Sequence, residues 1–460
     1  MLLGAILCHF FGLGCKKFVT VPLPTTEIST HNIFSDDLMA RTAIYGIYAE
    51  MIGSKGFASG STRSITFLSA LSADELENFS NITMLREFSE NSLDPRNEAI
   101  EKSIWGEAYK CIYAINTIIE GLPKSDNVSY VTKEQLLGEA YFLRAFCYFY
   151  LVNLFGDVPY LTGTDYWKNI AAPRTPRKDI YQGIISDLSN AKSKLTDDYA
   201  TGERIRPNKQ ASIALLARVY LFTGNWIAAE AMADSVISKK SVYSLEDSLD
   251  NVFGATSREA IWQLKPNIPG VNTWEGRNFI LSTAPSVGES NSSALRSDLL
   301  NAFENGDLRR SRWIDSILFG GIHVFYFPYK YKVKNNNELK EYCVILRLAE
   351  QYLIRAEARL QQGNLAGARS DINIIRKRAG LPETAVSTVT GLFDEILHER
   401  QVELFTEWGH RWLDLKRLNQ SEKVLGKSKK GFWDATDTLY PIPLNQILLN
   451  NNLTQNQGYH

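Results

Sequence analysis

Apolar residues recur along most of the chain at spacings of three and four, which is typical of amphipathic helices packed on a core. The longest such segment covers residues 133–155, and an earlier one covers residues 100–122. Gly156 and Pro159 follow the longer segment and are typical helix terminators. The pattern therefore predicts a chain dominated by helices.

Two segments of the chain repeat each other at a constant offset. The corresponding positions are Ala217 and Ala356, Leu221 and Leu360, and Ala229 and Ala368. Small residues let two helices approach closely, and the Gly-Asn pairs at 224–225 and 363–364 suit a left-handed turn between them. This pattern is typical of tetratricopeptide helix pairs. We predict helical repeats over about residues 98–240 and 341–420.

Between these repeats lies a segment of about residues 241–340 that is rich in proline and glycine and includes a β-prone piece at 323–327. A second irregular stretch, rich in Ser, Asn and Gly, covers residues 53–97. Long irregular segments on a helical scaffold commonly carry binding sites. We predict an all-α dominated fold in which tetratricopeptide-like helix pairs pack against an irregular, loop-rich lobe with a few short strands. Residues 33–460 form one domain in this prediction, and residues 241–340 are its ligand-binding insert.

The amino terminus has the pattern of an export signal. Residues 2–14 are an apolar run of signal-peptide length, too short to span a bilayer. The glycine directly before Cys15 resembles a bacterial lipobox, although Gly12 stands where the box prefers leucine. We predict a lipoprotein signal peptide over 1–14, lipidation of Cys15, and a lipidated tether over 15–32 that anchors the chain to a membrane. An ordinary buried strand or helix is the alternative for this segment.

The charge balance and the cysteines exclude several functions. With 50 basic and 51 acidic side chains the net charge is −1, so the chain lacks the basic surface that nucleic acid requires. Cys111, Cys147 and Cys343 are far apart and lie in apolar patterns, which favours buried small hydrophobes over disulfides or zinc ligands. We expect no nucleic-acid partner.

One histidine lies in a sequence that begins like a catalytic motif. His398-Glu399 resembles the start of a zinc-protease helix, but Val402 stands where the second histidine is required. The sequence contains no phosphate-binding loop, dinucleotide fingerprint or nucleophile elbow. We expect a protein that is not an enzyme, and we predict no cofactor and no metal site.

Charged residues at helical spacing fill the segment 399–417. They are Glu399, Arg400, Glu403, Arg411, Asp414 and Arg417. A polar binding site is one interpretation, and a buried ion-pair network between the last helices is the one we favour. The same interpretation applies to Arg144 and Arg347, which lie in apolar helices. Pro441 and Pro443 force an extended course on the tail, which we interpret as a strap across the helix pairs.

Four blocks, in order along the chain, resemble the SusD/RagB nutrient-binding lipoproteins of Bacteroidetes. The blocks are residues 138–159, residues 346–358 with 375–381, residues 399–417, and residues 439–443 with 453–459. The tail departs from the usual Asn-Pro-Gly-Tyr, because Gln457 replaces the proline. The resemblance implies a surface-exposed, lipid-anchored protein of the outer membrane that covers a SusC-type TonB-dependent transporter. It implies an oligosaccharide as the usual cargo, and peptides in a minority of relatives.

Sugar recognition requires exposed aromatic rings beside polar side chains, because the C–H face of a sugar stacks on a ring while its hydroxyls form hydrogen bonds. Trp274 lies in a polar loop of the insert and is the best platform in the sequence. The resemblance implies a site where the insert meets the stretch 53–97. The predicted ligand-binding residues are Trp274, Asn272, Arg277, Trp313, Tyr326, Asn78 and Asp74.

Three functions follow from these observations. The first is surface binding of an oligosaccharide and its delivery to a SusC-type transporter. The second is capture of peptides by the same scaffold, which a deep, enclosed cavity of mixed polarity would favour over an open aromatic arc. The third is a tetratricopeptide scaffold that docks proteins, which an unbroken concave helical surface without a loop-lined pocket would favour.

Overall fold

The computed structural model describes residues 33–53 and 57–459. The predicted signal peptide, Cys15 and the tether up to residue 32 therefore lie outside the described residues. Helices dominate and the strands are short and few, which confirms the predicted fold class. None of the helices in the described part is long and apolar enough to cross a membrane.

The helices of the described residues are numbered in chain order. They are α1 Asp37–Ile52, α2 Ile65–Ser72, α3 Thr83–Glu90, α4 Glu107–Gly121, α5 Tyr130–Phe155, α6 Tyr166–Ile170, α7 Arg177–Lys194, α8 Lys209–Phe222, α9 Trp226–Ile237, α10 Trp274–Phe279, α11 Ser297–Leu300, α12 Leu308–Arg312, α13 Leu348–Gln361, α14 Leu365–Arg378, α15 Val389–Leu404, α16 His410–Arg417, α17 Ser421–Ser428 and α18 Leu444–Leu449. A π-helical segment, Ala99–Gly106, leads into α4. Single 3₁₀ turns cover Leu122–Lys124, Leu249–Asn251 and Ala435–Thr438.

In the described part of the chain, the strands form three two-stranded antiparallel sheets. They are β1 Leu76–Asn78, β2 Ala260–Leu264, β3 Ser293–Leu295, β4 Ile314–Phe319, β5 His323–Pro328 and β6 Cys343–Arg347. The pairs are β1 with β3, β2 with β6, and β4 with β5. The fully buried pair β2–β6 joins the start of the insert to its end. The β-prone piece predicted at 323–327 is confirmed as part of β5.

Helix α5 lies at the centre of the core. It begins three residues before the predicted segment, because the side chain of Ser129 caps it by accepting a hydrogen bond from the Thr132 amide. From Leu136 onward nearly every side chain is buried, as expected of a helix with neighbours on all sides. Phe142 and Phe146 pack edge-on against Trp262 of β2, with ring centroids 4.8 and 5.2 Å apart. This contact fixes the insert to the helical scaffold.

The two predicted helix pairs are confirmed as α8–α9 and α13–α14. The turn glycines have positive φ angles, 71° at Gly224 and 79° at Gly363. Asn225 and Asn364 then cap the second helix of each pair by accepting from a backbone amide three residues ahead. The pairs are far apart in sequence, yet α9 packs directly on α13 through small residues. The repeats form a continuous stack.

The stretch 53–97 is less irregular than its composition suggests. It contains α2 and α3, which the Ser- and Asn-rich sequence does not predict. Every residue of α2 is buried, including Ser69 and Ser72, so its polar residues belong to the core. Strand β1 follows and pairs with β3, which brings this stretch against the insert.

Buried ion pairs hold the last helices together, which confirms the structural interpretation of the segment 399–417. Glu403 accepts hydrogen bonds from Arg309, Arg347 and Arg378. Further buried ion pairs include Arg400–Asp414, Arg417–Glu357, Arg309–Glu399 and Arg376–Glu399, and Arg144–Asp187 joins α5 to α7 in the same way. These charges stabilise helix packing and are not free for a ligand.

The carboxy-terminal tail is the predicted strap. The amide of Tyr440 donates to the carbonyl of Leu154 at 2.8 Å. Asn456 Nδ2 donates to the carbonyls of Phe155 and Tyr440 at 2.9 and 2.7 Å. The tail thus satisfies carbonyls at the carboxyl end of α5, which the helix itself leaves unpaired.

Candidate functional site

A groove of about 310 Å³ lies where three separate parts of the chain meet. It is lined by Tyr45, Tyr48 and Ala49 of α1, by Thr201, Ile205 and Arg206 before α8, and by Leu264, Lys265, Pro266 and Asn267 at the end of β2. We call it the tyrosine groove. Its walls are mostly apolar, and its volume lies at the lower end of the range for small-molecule sites.

A buried ion pair positions the two tyrosines. Glu139, on α5, is fully buried and accepts two hydrogen bonds from Arg206, with Nε to Oε2 at 2.9 Å. Glu139 also accepts from the Tyr48 hydroxyl at 2.6 Å. Arg206 donates to the Tyr45 hydroxyl at 3.2 Å, and its guanidinium carbon lies 5.1 Å from the Tyr45 ring centroid. Both rings are therefore fixed before any ligand arrives.

The two tyrosines differ in what they offer a ligand. They are three residues apart on α1 and therefore lie on one side of the helix. Burial, followed by the negative charge of Glu139, raises the pKa of Tyr48 well above its usual value, so Tyr48 stays a neutral donor. Tyr45 is 42% exposed and is the ring of the groove most open to solvent.

The remaining wall comes from the chain that leaves β2. Pro266 cannot donate to a strand ladder, and β2 ends two residues before it. Asn267 Nδ2 then donates to the Ala49 carbonyl at 3.3 Å, which ties this loop to α1. Lys265 forms an ion pair with Glu203 at 3.0 Å. The groove therefore has an amide and an ammonium beside its aromatic wall.

Trp274 extends this surface. Its Nε1 donates to the carbonyl of Ile52 at 3.1 Å, and part of its ring remains exposed. Pro266 and Asn267 line the tyrosine groove and also the shallow crevice beside Trp274. The guanidinium of Arg277 lies 5.6 Å from the Trp274 ring centroid and is exposed. Two of the predicted site residues, Trp274 and Arg277, are thus neighbours on the surface.

Three of the predicted ligand-binding residues are buried among other partners in the structure. Trp313 has no exposed surface, and its Nε1 donates to the Leu249 carbonyl at 2.9 Å. Asn272 is fully buried and forms four hydrogen bonds with the backbone of residues 336–341. Asp74 is buried in a two-point ion pair with Arg411, at 2.8 Å for each bond.

The other two predicted residues lie in a different part of the lobe. Asn78 is half-buried and forms a local turn with Ser80, in which Asn78 Oδ1 accepts a hydrogen bond from the Ser80 amide at 3.1 Å. Tyr326 is half-buried on β5 and has the guanidinium of Arg310 at 4.7 Å from its ring. Within the described residues, no hydrogen bond or ring contact links either one to Trp274. Whether they contact a ligand stays a prediction.

The sequence reasoning missed Tyr45, Tyr48 and Arg206. The spacing of the tyrosines on an apolar helical pattern was a usable signal, whereas nothing local marks Arg206. It also missed Trp167 of α6, which is 79% exposed and packs edge-on against Tyr166. The tyrosine groove remains the candidate site, because it combines an exposed ring with polar groups in one concave surface.

A larger hollow of about 540 Å³ lies beside the carboxyl end of α4. Glu120, Lys124 and Asp126 line it, and Phe34 is the one aromatic ring among its described lining residues. Sugar stacking requires an aromatic surface flanked by hydrogen-bonding groups. The tyrosine groove meets this requirement better than the larger hollow does.

One group of side chains has the composition of a metal site, namely Glu304, His398 and Glu399. Arg376 bonds to both carboxylates, at 2.5 Å to Glu304 and 3.0 Å to Glu399. Arg309 also bonds to Glu399, at 2.8 Å. The arginines already neutralise these carboxylates and would repel a cation, so the group fits an ion-pair network better than a metal centre.

Several known proteins resemble this chain in sequence or in fold. A family model described as starch-binding associating with outer membrane matches residues 50–221, and one described as the SusD family matches residues 317–459. SusD-like protein P2 of Formosa agariphila is 29% identical over 412 residues, covering 78% of this chain and 80% of that protein.

Solved structures share the fold. A SusD superfamily protein from Bacteroides vulgatus has a TM-score of 0.80 at 20% identity, covering 93% of this chain and 100% of that one. A laminarin-binding SusD-like protein has a TM-score of 0.77 at 23% identity, with the same coverage of 93% and 100%.

Proposed function

Because the chain belongs to the SusD/RagB family, we propose that it binds an oligosaccharide at the cell surface and delivers it to a SusC-type TonB-dependent transporter in the outer membrane. One family model and one solved structure support the cargo class in this proposal. The family model that matches residues 50–221 describes starch-binding proteins, and one solved structure with this fold is a laminarin-binding protein. The protein acts by binding and has no catalytic role.

The tyrosine groove is the observation that carries the proposal. It offers the exposed ring of Tyr45, the amide of Asn267 and the ammonium of Lys265 within one concave surface. A sugar ring can stack its C–H face on tyrosine while its hydroxyls bond to the amide and the ammonium. Trp274, next to the same loop, provides a second ring for a longer chain.

The shape of the groove favours glycan over peptide. It is open to solvent and mostly apolar, whereas peptide capture calls for an enclosed cavity with polar groups for the backbone. A pure protein-docking scaffold would instead present the helix pairs alone. Here the insert packs on the helical core through Trp262 and forms part of the groove.

Attachment to the outer membrane completes the proposal. Cys15 carries the lipid, and residues 15–32 link the anchor to the domain, which the structure describes from residue 33 onward. Several acyl chains on one residue, at about 0.8 kcal/mol per buried methylene, hold a protein on a membrane stably. The groove then faces the medium from which a glycan is captured.

Affinity electrophoresis and calorimetry with a panel of glycans test the proposal. The panel contains maltooligosaccharides, laminarin, plant and algal polysaccharides, and a mixture of peptides as the competing class. The proposal predicts binding to at least one glycan and to no peptide. Binding to peptides alone would favour the second function, and binding to neither class would contradict ligand capture by this domain.

A further inference from the structure

Two cations near Trp274 have no carboxylate partner. Arg277 is exposed, and its guanidinium lies over the ring of Trp274. Lys334 is half-buried and donates to the Ile280 carbonyl at 2.6 Å and to Ser282 Oγ at 3.4 Å. Within the described residues, no carboxylate lies at ion-pair distance from either side chain. At least one N–H group of the Lys334 ammonium and all five N–H groups of the Arg277 guanidinium therefore remain available to donate to a ligand.

The carboxylates near these cations in the fold are engaged elsewhere. Glu275 turns inward and is buried, with Cys343 Sγ at 3.1 Å from its Oε1. Glu289 forms an ion pair with Arg63 at 2.7 Å. Glu338 pairs with Lys340 at 3.2 Å. This edge of the lobe therefore has an excess of positive charge in a chain whose net charge is −1.

The two cations also affect each other. Burial, and next the positive charge of Arg277, lowers the pKa of Lys334. Like charges placed together cost free energy, which an anion bound between them would offset. Arginine binds carboxylate and sulfate groups through its planar fork, and lysine acts as a point charge beside it.

We propose that the oligosaccharide carries an anionic substituent, a carboxylate or a sulfate ester, and that Arg277 and Lys334 bind it while the sugar ring lies against Trp274. This inference rests on the proposed glycan-binding function and names the class of glycan. The two cations lie on the Trp274 side of the site. The neutral sugars of the oligosaccharide therefore extend along the loop of Pro266 and Asn267 toward the tyrosine groove.

Matched pairs of ligands test the inference by calorimetry on the folded protein. One pair is oligogalacturonides and their methyl esters of the same length, in which a small neutral ester replaces each carboxylate. The other pair is carrageenan oligosaccharides before and after desulfation. The double variant Arg277→Gln/Lys334→Gln is compared with Lys377→Gln/Lys427→Gln, which removes two exposed charges elsewhere.

In at least one pair the acidic ligand should bind about tenfold more tightly than its neutral counterpart at low salt, and the difference should shrink with added salt. The pair that shows the preference identifies the anion. Arg277→Gln/Lys334→Gln should abolish the difference in affinity between the acidic ligand and its neutral counterpart. The control double variant should change neither affinity.

Equal affinity within both pairs, or an equal loss in both double variants, would overturn the inference. If neutral glycans of the panel bind without any preference for acidic ones, the glycan-binding function stands and only the inference falls. If no glycan binds, both fall.

Discussion

Arg206 donates two hydrogen bonds to Glu139, and through this pair the loop before α8 fixes the two tyrosines of α1. The pair is buried. Burial is the largest single influence on the pKa of Arg206 and lowers it, but the charge and hydrogen bonds of Glu139 outweigh burial, so the pKa is raised overall. An ion pair in this position sets the geometry of the groove as much as the stability of the fold. Its removal is therefore expected to affect ligand affinity.

Arg206→Lys should weaken glycan binding by about tenfold, because lysine cannot form the two-point bond to Glu139 and the bond to Tyr45 together. Calorimetry measures the affinity, and thermal unfolding measures the stability. Arg359→Lys, in an ion pair with Glu230 on the helix stack, is the control. A lower melting temperature with unchanged affinity would show that Arg206 supports the fold alone.

The network around Glu403 should be essential for stability. Glu403→Gln leaves Arg309, Arg347 and Arg378 buried with less compensating charge, and breaking such pairs costs about 3–5 kcal/mol. The free energy of unfolding, measured with denaturant, is the readout. Glu338→Gln removes an exposed ion pair with Lys340 and should cost less than about 1 kcal/mol. Equal effects of the two substitutions would contradict the structural role of the network.

Two buried carboxyls should make the protein less stable as the pH rises. Burial, followed by the charge of Asp74, raises the pKa of Glu75 to about 8, and burial raises that of Glu275 to about 7. In the unfolded chain a glutamate has a pKa of about 4.3, so the folded state holds protons that the unfolded state releases. Their contribution to stability is complete below about pH 4 and is lost as the pH rises through about 7 to 8.

Glu75→Gln tests this prediction, since the amide oxygen can still accept from the Thr406 amide. As the pH rises from about 5 to about 8, the parent should lose about 3 kcal/mol of unfolding free energy that the variant keeps. Burial lowers the pKa of Lys330 to about 8. The titration of Lys330 therefore makes the protein more stable as the pH rises, but only above about pH 8. Glu77→Gln, on the exposed side of β1, is the control. Parallel pH profiles for parent and Glu75→Gln would contradict the prediction.

Lipidation at Cys15 is expected from the lipobox pattern. In cells grown with labelled palmitate, the parent protein should take up label and fractionate with the outer membrane, and Cys15→Ser should do neither. Cys111→Ser is a control, because that buried thiol cannot reach a membrane. Label that persists in Cys15→Ser would place the anchor at another residue.

Local rules explain which parts of the fold were predictable from the sequence. The helix pairs were predictable, because a glycine with positive φ and an asparagine cap suffice to mark each turn. Helix α2 was not, because both of its serines are buried and Ser72 bonds to Tyr440 in the core, which composition cannot reveal.

The site was predictable only in part. Trp274 and Arg277 lie on one short helix, so the sequence places them together. Trp313 has the same kind of polar neighbours, yet it packs against Lys330 in the core, because tertiary contacts decide which aromatic rings are covered. The packing of three distant segments brings together Tyr45, Arg206 and Asn267, and no local sequence pattern predicts that contact.

The central claim, that the glycan binds in the tyrosine groove, is tested most directly by calorimetry on Tyr45→Ala, Trp274→Ala and Trp167→Ala with a glycan that binds the parent protein. Loss of one stacking ring should weaken binding by about 1–2 kcal/mol, or roughly tenfold, for Tyr45→Ala and Trp274→Ala. Trp167→Ala, which removes the exposed indole of α6, should bind like the parent. Unchanged affinity in the first two variants, with loss of binding in Trp167→Ala, would contradict the claim and move the site to α6.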